Sequence, residues 1–206
     1  LTLISSGCSI NRTIGTQVNT FSMEHVLPAA MQMDDINLIC HSNESFLPLL
    51  VGFREFKVDT DLMMAVSYAG AAMCTEHEAV EKELWSAQAE KQGWISIAQD
   101  ARIAQQLLNR DAGVRQLKAY THMASYFRNN YGYEIGDEKC PSFKKDLEEH
   151  VMLVGATSAL QALQNDIASG RLIDVDMGIP AKISRAMKCL DNDKWWGEPK
   201  AIRAAL

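Results

Sequence analysis

The residues of this sequence that could hold a metal ion or activate a substrate are few and far apart. His77, Glu78 and Glu81 come closest to a zinc-protease helix, in which two imidazoles one turn apart grip the metal and a glutamate activates water. Glu81 occupies the place of the second imidazole, so a solvated, glutamate-rich helix start is the favoured interpretation. No G-x-S-x-G motif or glycine-rich phosphate loop is present. We therefore predict a protein without enzymatic activity, metal or cofactor.

Five cysteines are the other group of reactive side chains. Cys8 stands alone near the start, and Cys40, Cys74, Cys140 and Cys189 are spread along the body of the chain. None of them form a C-x-x-C pair, which disfavours a zinc ribbon or a thioredoxin-like motif. The four body cysteines could be free thiols in a reducing compartment, or two disulfides with three alternative connectivities in an oxidising one.

The run LTLISSGCS around Cys8 is similar to the end of a bacterial lipoprotein signal. Such a signal closes with an apolar stretch, a small residue and a cysteine that becomes lipid-modified. Gly7 would precede the cleavage site and Cys8 would carry the lipid, although Ser5 stands where leucine is usual. The residues that follow are rich in Ser, Thr and Asn, which favours a tether. The predicted segments are a signal tail, a lipid-anchored polar tether and a single domain, at 1–7, 8–20 and 21–206.

Composition limits the remaining classes. A chain of 206 residues with 47% apolar residues can form one sizeable core. The net charge of −6, without a Lys/Arg-rich tract, argues against a nucleic-acid partner, because phosphate neutralisation needs a basic face. No apolar run approaches the roughly 20 residues that span a bilayer.

Helical periodicity dominates the domain, and no convincing strand is present. Asp34 and Asp35 precede one apolar run, and Ser45 with Pro48 predicts the start of a second helix. Residues 61–74 are apolar nearly all round and predict a central buried helix. Short turns between helices predict antiparallel helical hairpins, stacked as degenerate tetratricopeptide-like repeats. Since each pair would then bracket a hairpin or a closing loop, we expect disulfides Cys40–Cys74 and Cys140–Cys189.

Aromatic side chains are the best hint of a binding surface. They cluster at the end of one helix and in a polar loop near the C-terminus. The alternative, that these rings close the helical core, remains open. The candidate partner or ligand residues are Tyr126, Tyr131, Tyr133, Trp195 and Trp196.

These patterns together resemble the T component of tripartite ATP-independent periplasmic (TRAP) transporters. The stretches that carry the resemblance begin at Asp34-Asp35 and continue through FLPLLVGFREF, DLMMAVSYAGAAMC and LKAYTHMASYFRNNYG. VMLVGATSALQALQND and the segment from Ile179 to the C-terminus complete it. The helix at 151–164 lacks the aromatics that the family tends to carry there, and the body cysteines are not a family feature.

The resemblance implies a periplasmic lipoprotein, held to a bacterial membrane only by its lipid, that has no catalytic site. It also implies association with the transporter's solute-binding protein, contact with its permease, assembly as a homotrimer and assistance in ligand transfer. A different class of function is the alternative: a stand-alone helical domain that binds an apolar small molecule or lipid. Met63, Met64 and Met73 on the predicted central helix favour that alternative, because methionine adapts to irregular ligands.

Overall fold

The computed structural model describes the backbone of residues 4–206 and the side chains of residues 10–206. The described chain is all-helical and contains no strand, which confirms the predicted fold class. The α-helices are α1 Ile4–Phe21, α2 Leu27–Ala30, α3 Ile36–Glu55, α4 Asp61–Lys91, α5 Ile95–Tyr131, α6 Asp146–Ala168, α7 Ile179–Ala186 and α8 Glu198–Ala204. A π-helical segment, Ser22–Val26, joins α1 to α2, and a 3-10 turn, Met187–Cys189, follows α7.

Residues 8–20, which the sequence suggests as a tether, lie within α1 in the structure. Small and polar side chains make its contacts with the domain. Asn19 Nδ2 donates a hydrogen bond to the backbone oxygen of Asp59 (3.0 Å), and Gly15 packs against Val58 and Phe53. The described apolar side chains of this helix are exposed to solvent. They are Ile10, Ile14, Val18 and Phe21.

The next two helices differ from their predicted boundaries. Asp35 caps α3, where its Oδ1 accepts the Leu38 N–H (2.9 Å), as the acidic pair suggests. The predicted helix start at Ser45 is wrong, because α3 continues through Pro48 without a break. The glutamate-rich segment around Glu78, which the sequence suggests as a helix start, lies inside α4 instead, and the chain reverses only at Gly93, whose φ is +74°, between α4 and α5.

Helices α3 to α6 pack as successive antiparallel neighbours. Cys40 of α3 is bonded to Cys74 of α4, with the Cα atoms 5.8 Å apart. α5 and α6 approach closely at Gly155, where an added Cβ would lie 2.8 Å from Met123. The predicted central helix is confirmed, since the first half of α4 is buried among its neighbours. The tetratricopeptide-like repeat remains a prediction.

The C-terminal part closes one end of the core. Cys140 is bonded to Cys189, with the Cα atoms 5.3 Å apart, so both predicted pairs are present in the structure. Asp166 is fully buried, and its carboxylate accepts the backbone N–H groups of Ile173, Asp174 and Val175. Burial alone would raise the pKa of Asp166, but these hydrogen bonds outweigh it and hold the pKa below its ordinary value. The loop after α6 is thereby fixed to the helix.

Candidate functional site

The α4–α5 hairpin carries the first candidate binding surface at its tip. We define the arm as residues 78–108, where each helix contributes about 21 Å of length. Only small side chains are buried along the arm, and Ser86 Oγ donates a hydrogen bond across it to the backbone oxygen of Ala98 (2.9 Å). This seam of small residues brings the two backbones close together. Its members are Ala79, Ser86, Ala89, Ala98 and Ala101.

Large apolar side chains of the arm are exposed to solvent. Val80 and Leu84 lie one turn apart on α4, and Ile103 and Leu107 lie one turn apart on α5, so each pair forms a ridge on its helix. Large exposed apolar patches are typical of interaction sites, and the arm concentrates eight exposed large apolar side chains. The complete set is Val80, Leu84, Trp85, Trp94, Ile95, Ile97, Ile103 and Leu107.

Contacts with the rest of the domain leave the arm projecting. α3 reaches the hairpin at Cys74 and through Glu44, whose carboxylate accepts a hydrogen bond from Arg115. α6 reaches it where Asn165 Nδ2 donates to Glu76 (2.9 Å). All of these positions lie on the domain side of residues 78 and 108. The arm carries a net charge of −2, because four glutamates and one aspartate face two lysines and one arginine.

The second candidate site is a cavity of about 550 Å³ under the N-terminal helix, which we call the α1 cavity. Its walls come from α1 and the π-helical segment, the α3–α4 connection, and the facing ends of α4, α5 and α6. A volume of this size is within the usual range for small-molecule sites. The polar and charged side chains in its lining include Asn19, Glu24, Asp59, Tyr126, Asn130, Lys145 and Glu148.

Glu148 is the buried acid of this cavity, with 3% of its surface exposed. Its carboxylate accepts the hydroxyls of Tyr126 (2.7 Å) and Tyr131 (2.6 Å) and the backbone N–H groups of Lys144 (2.7 Å) and Lys145 (3.2 Å). Burial alone would raise the pKa of Glu148, but these four donors outweigh it and lower the pKa below 4.5. Burial and then Glu148 raise the pKa of Tyr131 to about 12, and that of Tyr126 rises for the same reasons.

The aromatic residues singled out from the sequence have different environments. Tyr133 is buried, and its hydroxyl accepts the Gly136 N–H. Trp195 is also buried, and its Nε1 donates to Glu149 Oε2 (2.8 Å). Tyr126 and Tyr131 are tied to Glu148, and Tyr126 lines the α1 cavity. Only Trp196 presents its ring to solvent, with 88% of its surface exposed. The five residues therefore do not form one surface.

The other residues considered from the sequence do not converge. His77 and Glu81 are exposed, with His77 Nε2 3.6 Å from Glu81 Oε1, and no group of three potential metal ligands occurs among the described residues. Met63 and Met64 are buried beside Leu50. The side chain of Cys8, the predicted lipid attachment site, lies outside the described residues.

The two disulfides indicate an oxidising, extracytoplasmic compartment. Within the part of the chain that the structure describes, no helix is long and apolar enough to cross a membrane. Comparison with protein-family models, curated proteins and solved structures finds no match to this chain.

Both candidate sites contain residues that the sequence does not single out. Glu148 is the third residue of α6 and accepts the backbone N–H groups of Lys144 and Lys145 just before the helix, and a glutamate at this position is a common capping signal. Its contacts with Tyr126 and Tyr131 depend on how α5 and α6 pack. The arm has a sequence signal in the alanines at 79, 89, 98 and 101, since small residues at helical spacing favour close helix pairs.

Proposed function

We propose that this chain is a lipid-anchored helical scaffold of the bacterial periplasm that binds the solute-binding protein of a TRAP-type transporter. In this proposal Cys8 carries the lipid and the chain acts by binding, not by catalysis. Contact with the permease and assembly as a homotrimer would place the scaffold beside the transporter. The observation that carries the proposal is the exposed apolar surface of the arm.

The construction of the arm supports a docking role. A helical hairpin that served only its own stability would place its large apolar side chains in the seam and polar ones outside. Here alanine and serine occupy the seam, while Leu84, Trp85 and Trp94 are exposed. Tryptophan is enriched among the residues that dominate binding energy at protein interfaces. The net charge of −2 on the arm favours a partner surface that is apolar and weakly basic.

No matching family identifies the partner, so the partner class in this proposal comes from the sequence resemblance. The two disulfides are consistent with export, which a TRAP-type periplasmic role requires. The antiparallel helices are consistent with the all-helical domain of that family. Helical hairpins that project from a rigid base suit recognition of another protein, since side chains on helices are held more firmly than those on loops.

A pull-down from detergent-solubilised membranes of the bacterium that encodes this chain tests the proposal. The tagged full chain should recover a solute-binding protein or a multi-spanning permease. Leu84→Gln with Trp85→Gln should reduce that recovery by about tenfold or more, because buried interface anchors typically contribute at least that factor. Circular dichroism of the variant should be unchanged, since both side chains are exposed.

Trp196→Gln is the matched control, because it also removes an exposed tryptophan but lies outside the arm. We expect it to recover the same partners as the unmodified chain. Recovery of neither partner class by the unmodified chain would refute the TRAP assignment. Loss of binding with Trp196→Gln alone would instead place the docking surface at the C-terminal loop and refute the role of the arm.

A further inference from the structure

The lining of the α1 cavity is rich in hydrogen-bond acceptors and negative charge. Glu24, Asp59 and Glu148 contribute three carboxylates, whereas Lys145 is the single cation among the described lining residues. Lys145 Nζ lies 3.4 Å from Glu24, so one of the three acids is partly compensated. The lining as a whole retains a formal charge of −2.

Most donors of the lining are already engaged with groups of the protein. Asn130 Nδ2 donates to Asp59 Oδ2 and to the backbone oxygen of Tyr126, both at 3.1 Å. The Tyr126 hydroxyl donates to Glu148. Asn19 Nδ2 donates to the backbone of Asp59, which fixes the orientation of its amide. These three side chains therefore offer a ligand little hydrogen-bond donation.

The lining of the α1 cavity also has hydrogen-bond acceptors with free lone pairs. Asp59 Oδ1 and Oδ2 each accept one hydrogen bond from the chain, although a carboxylate oxygen can accept two. Oδ1 of Asn19 also lacks a donor among the described residues, but this atom has no accessible surface and so does not face the cavity. A ligand that complements this lining must bring donors and positive charge.

Four of the remaining lining residues are apolar and set the second requirement for a ligand. Met23, Val58, Leu62 and Leu147 contribute aliphatic surface, and the ring of Tyr126 adds an aromatic face. Glu24 and Asp59 are exposed whereas Glu148 is buried, so the acidic groups extend from the solvent edge to the inner wall.

We propose that the α1 cavity is a binding site for a small organic cation, an amine that carries an apolar group. The ammonium lies between Asp59 and Glu24 and donates to their free lone pairs. The apolar group packs against the aliphatic side chains and the Tyr126 ring. This site is separate from the arm and does not rest on the proposed docking function.

Isothermal titration calorimetry of the full chain with three phenyl-containing probes of similar overall size tests the charge preference. Phenethylamine is the cation, 2-phenylethanol the neutral analogue and phenylacetate the anion. We expect saturable binding of phenethylamine at least about tenfold tighter than that of 2-phenylethanol, and no binding of phenylacetate up to about 10 mM. The preference should weaken in high salt, because screening reduces attraction at exposed carboxylates.

Glu24→Gln with Asp59→Asn locates the site, since it removes two charges while keeping side-chain size. We expect phenethylamine affinity to fall about tenfold or more. Glu83→Gln with Glu138→Gln is the matched control, because it removes two exposed carboxylates outside the cavity. Its affinity should equal that of the unmodified chain.

Three outcomes would overturn the proposal. Equal affinity for the three probes would show an apolar cavity without charge recognition. Absence of saturable phenethylamine binding would show that the cavity is a packing feature. Equal losses in the two double variants would show only a long-range effect of net charge. The probe series needs no variant, so it decides the question even if the cavity variants fail to fold. Partner recovery through the arm is unaffected by any of these outcomes.

Discussion

Replacing Glu148 by glutamine should lower the free energy of unfolding and remove part of its pH dependence. The carboxylate accepts four hydrogen bonds in a site that is 3% exposed. Bonds to a charged acceptor are stronger than neutral ones by about 0.5–1 kcal/mol each, so Glu148→Gln, which affects four of them, should cost at least about 2 kcal/mol. Glu148→Ala leaves two hydroxyls and two backbone N–H groups without this acceptor, and should cost about 4 kcal/mol.

The pH dependence follows from the direction of the pKa shift. The folded-state pKa of Glu148 lies below 4.5, so the ionised group stabilises the fold above that value. This stabilisation is lost as the pH falls through the folded pKa. The difference between the unmodified chain and Glu148→Gln should therefore be complete at pH 7 and shrink below pH 4.5. Other acids with lowered pKa values are common to both proteins and cancel.

Urea unfolding followed by circular dichroism at several pH values measures these differences. Glu138→Gln is the control, because Glu138 is exposed and should change the free energy of unfolding by less than about 0.5 kcal/mol. Alkaline titration gives an independent readout at Tyr131. Its pKa of about 12 should fall in Glu148→Gln but stay above 10.0, since burial remains. A Glu148→Gln protein as stable as the unmodified chain at pH 7, or a difference that grows in acid, would refute this account.

Two further predictions concern covalent links and helix packing. Replacing Cys140 and Cys189 by alanine should lower the free energy of unfolding by about 4 kcal/mol, because their bond closes a loop of 49 residues in the unfolded chain. Peptide mapping without reduction should recover this pair, and a different pairing would contradict the fold. Gly155→Ala should destabilise by about 1–3 kcal/mol, since its Cβ would lie 2.8 Å from Met123. Gly52→Ala is its matched control, because no atom lies within 4 Å of the added Cβ. The higher helix propensity of alanine should therefore stabilise the fold by up to about 1 kcal/mol. Equal effects of the two variants would be inconsistent with the packing described.

Local signals in the sequence are sufficient to predict most of the helices and several of the helix ends. Asp35 caps its helix through a backbone N–H three residues away, and Gly132 ends α5 with a φ of +61°. Both depend on residues adjacent in the chain, so composition and spacing predict them. The disulfide pairs were also predictable, because Cys40 and Cys74 lie on consecutive antiparallel helices and Cys140 and Cys189 bracket the C-terminal hairpin and its loops. The helix start predicted from Ser45 and Pro48 is wrong, because a proline can lie within a helix when tertiary packing outweighs the lost hydrogen bond.

The candidate sites depend on contacts between distant segments. Glu148 meets Tyr126 and Tyr131 only because α5 and α6 cross at Gly155, and Asn19 reaches Asp59 only because α1 packs on the domain. The residues of the arm can be read from the sequence, but their exposure cannot, since it depends on where α3 and α6 end relative to the hairpin. Helical periodicity is a property of neighbouring residues and can be predicted from the sequence alone. Which face meets a partner helix, and which is left to solvent, is decided by the packing of whole helices.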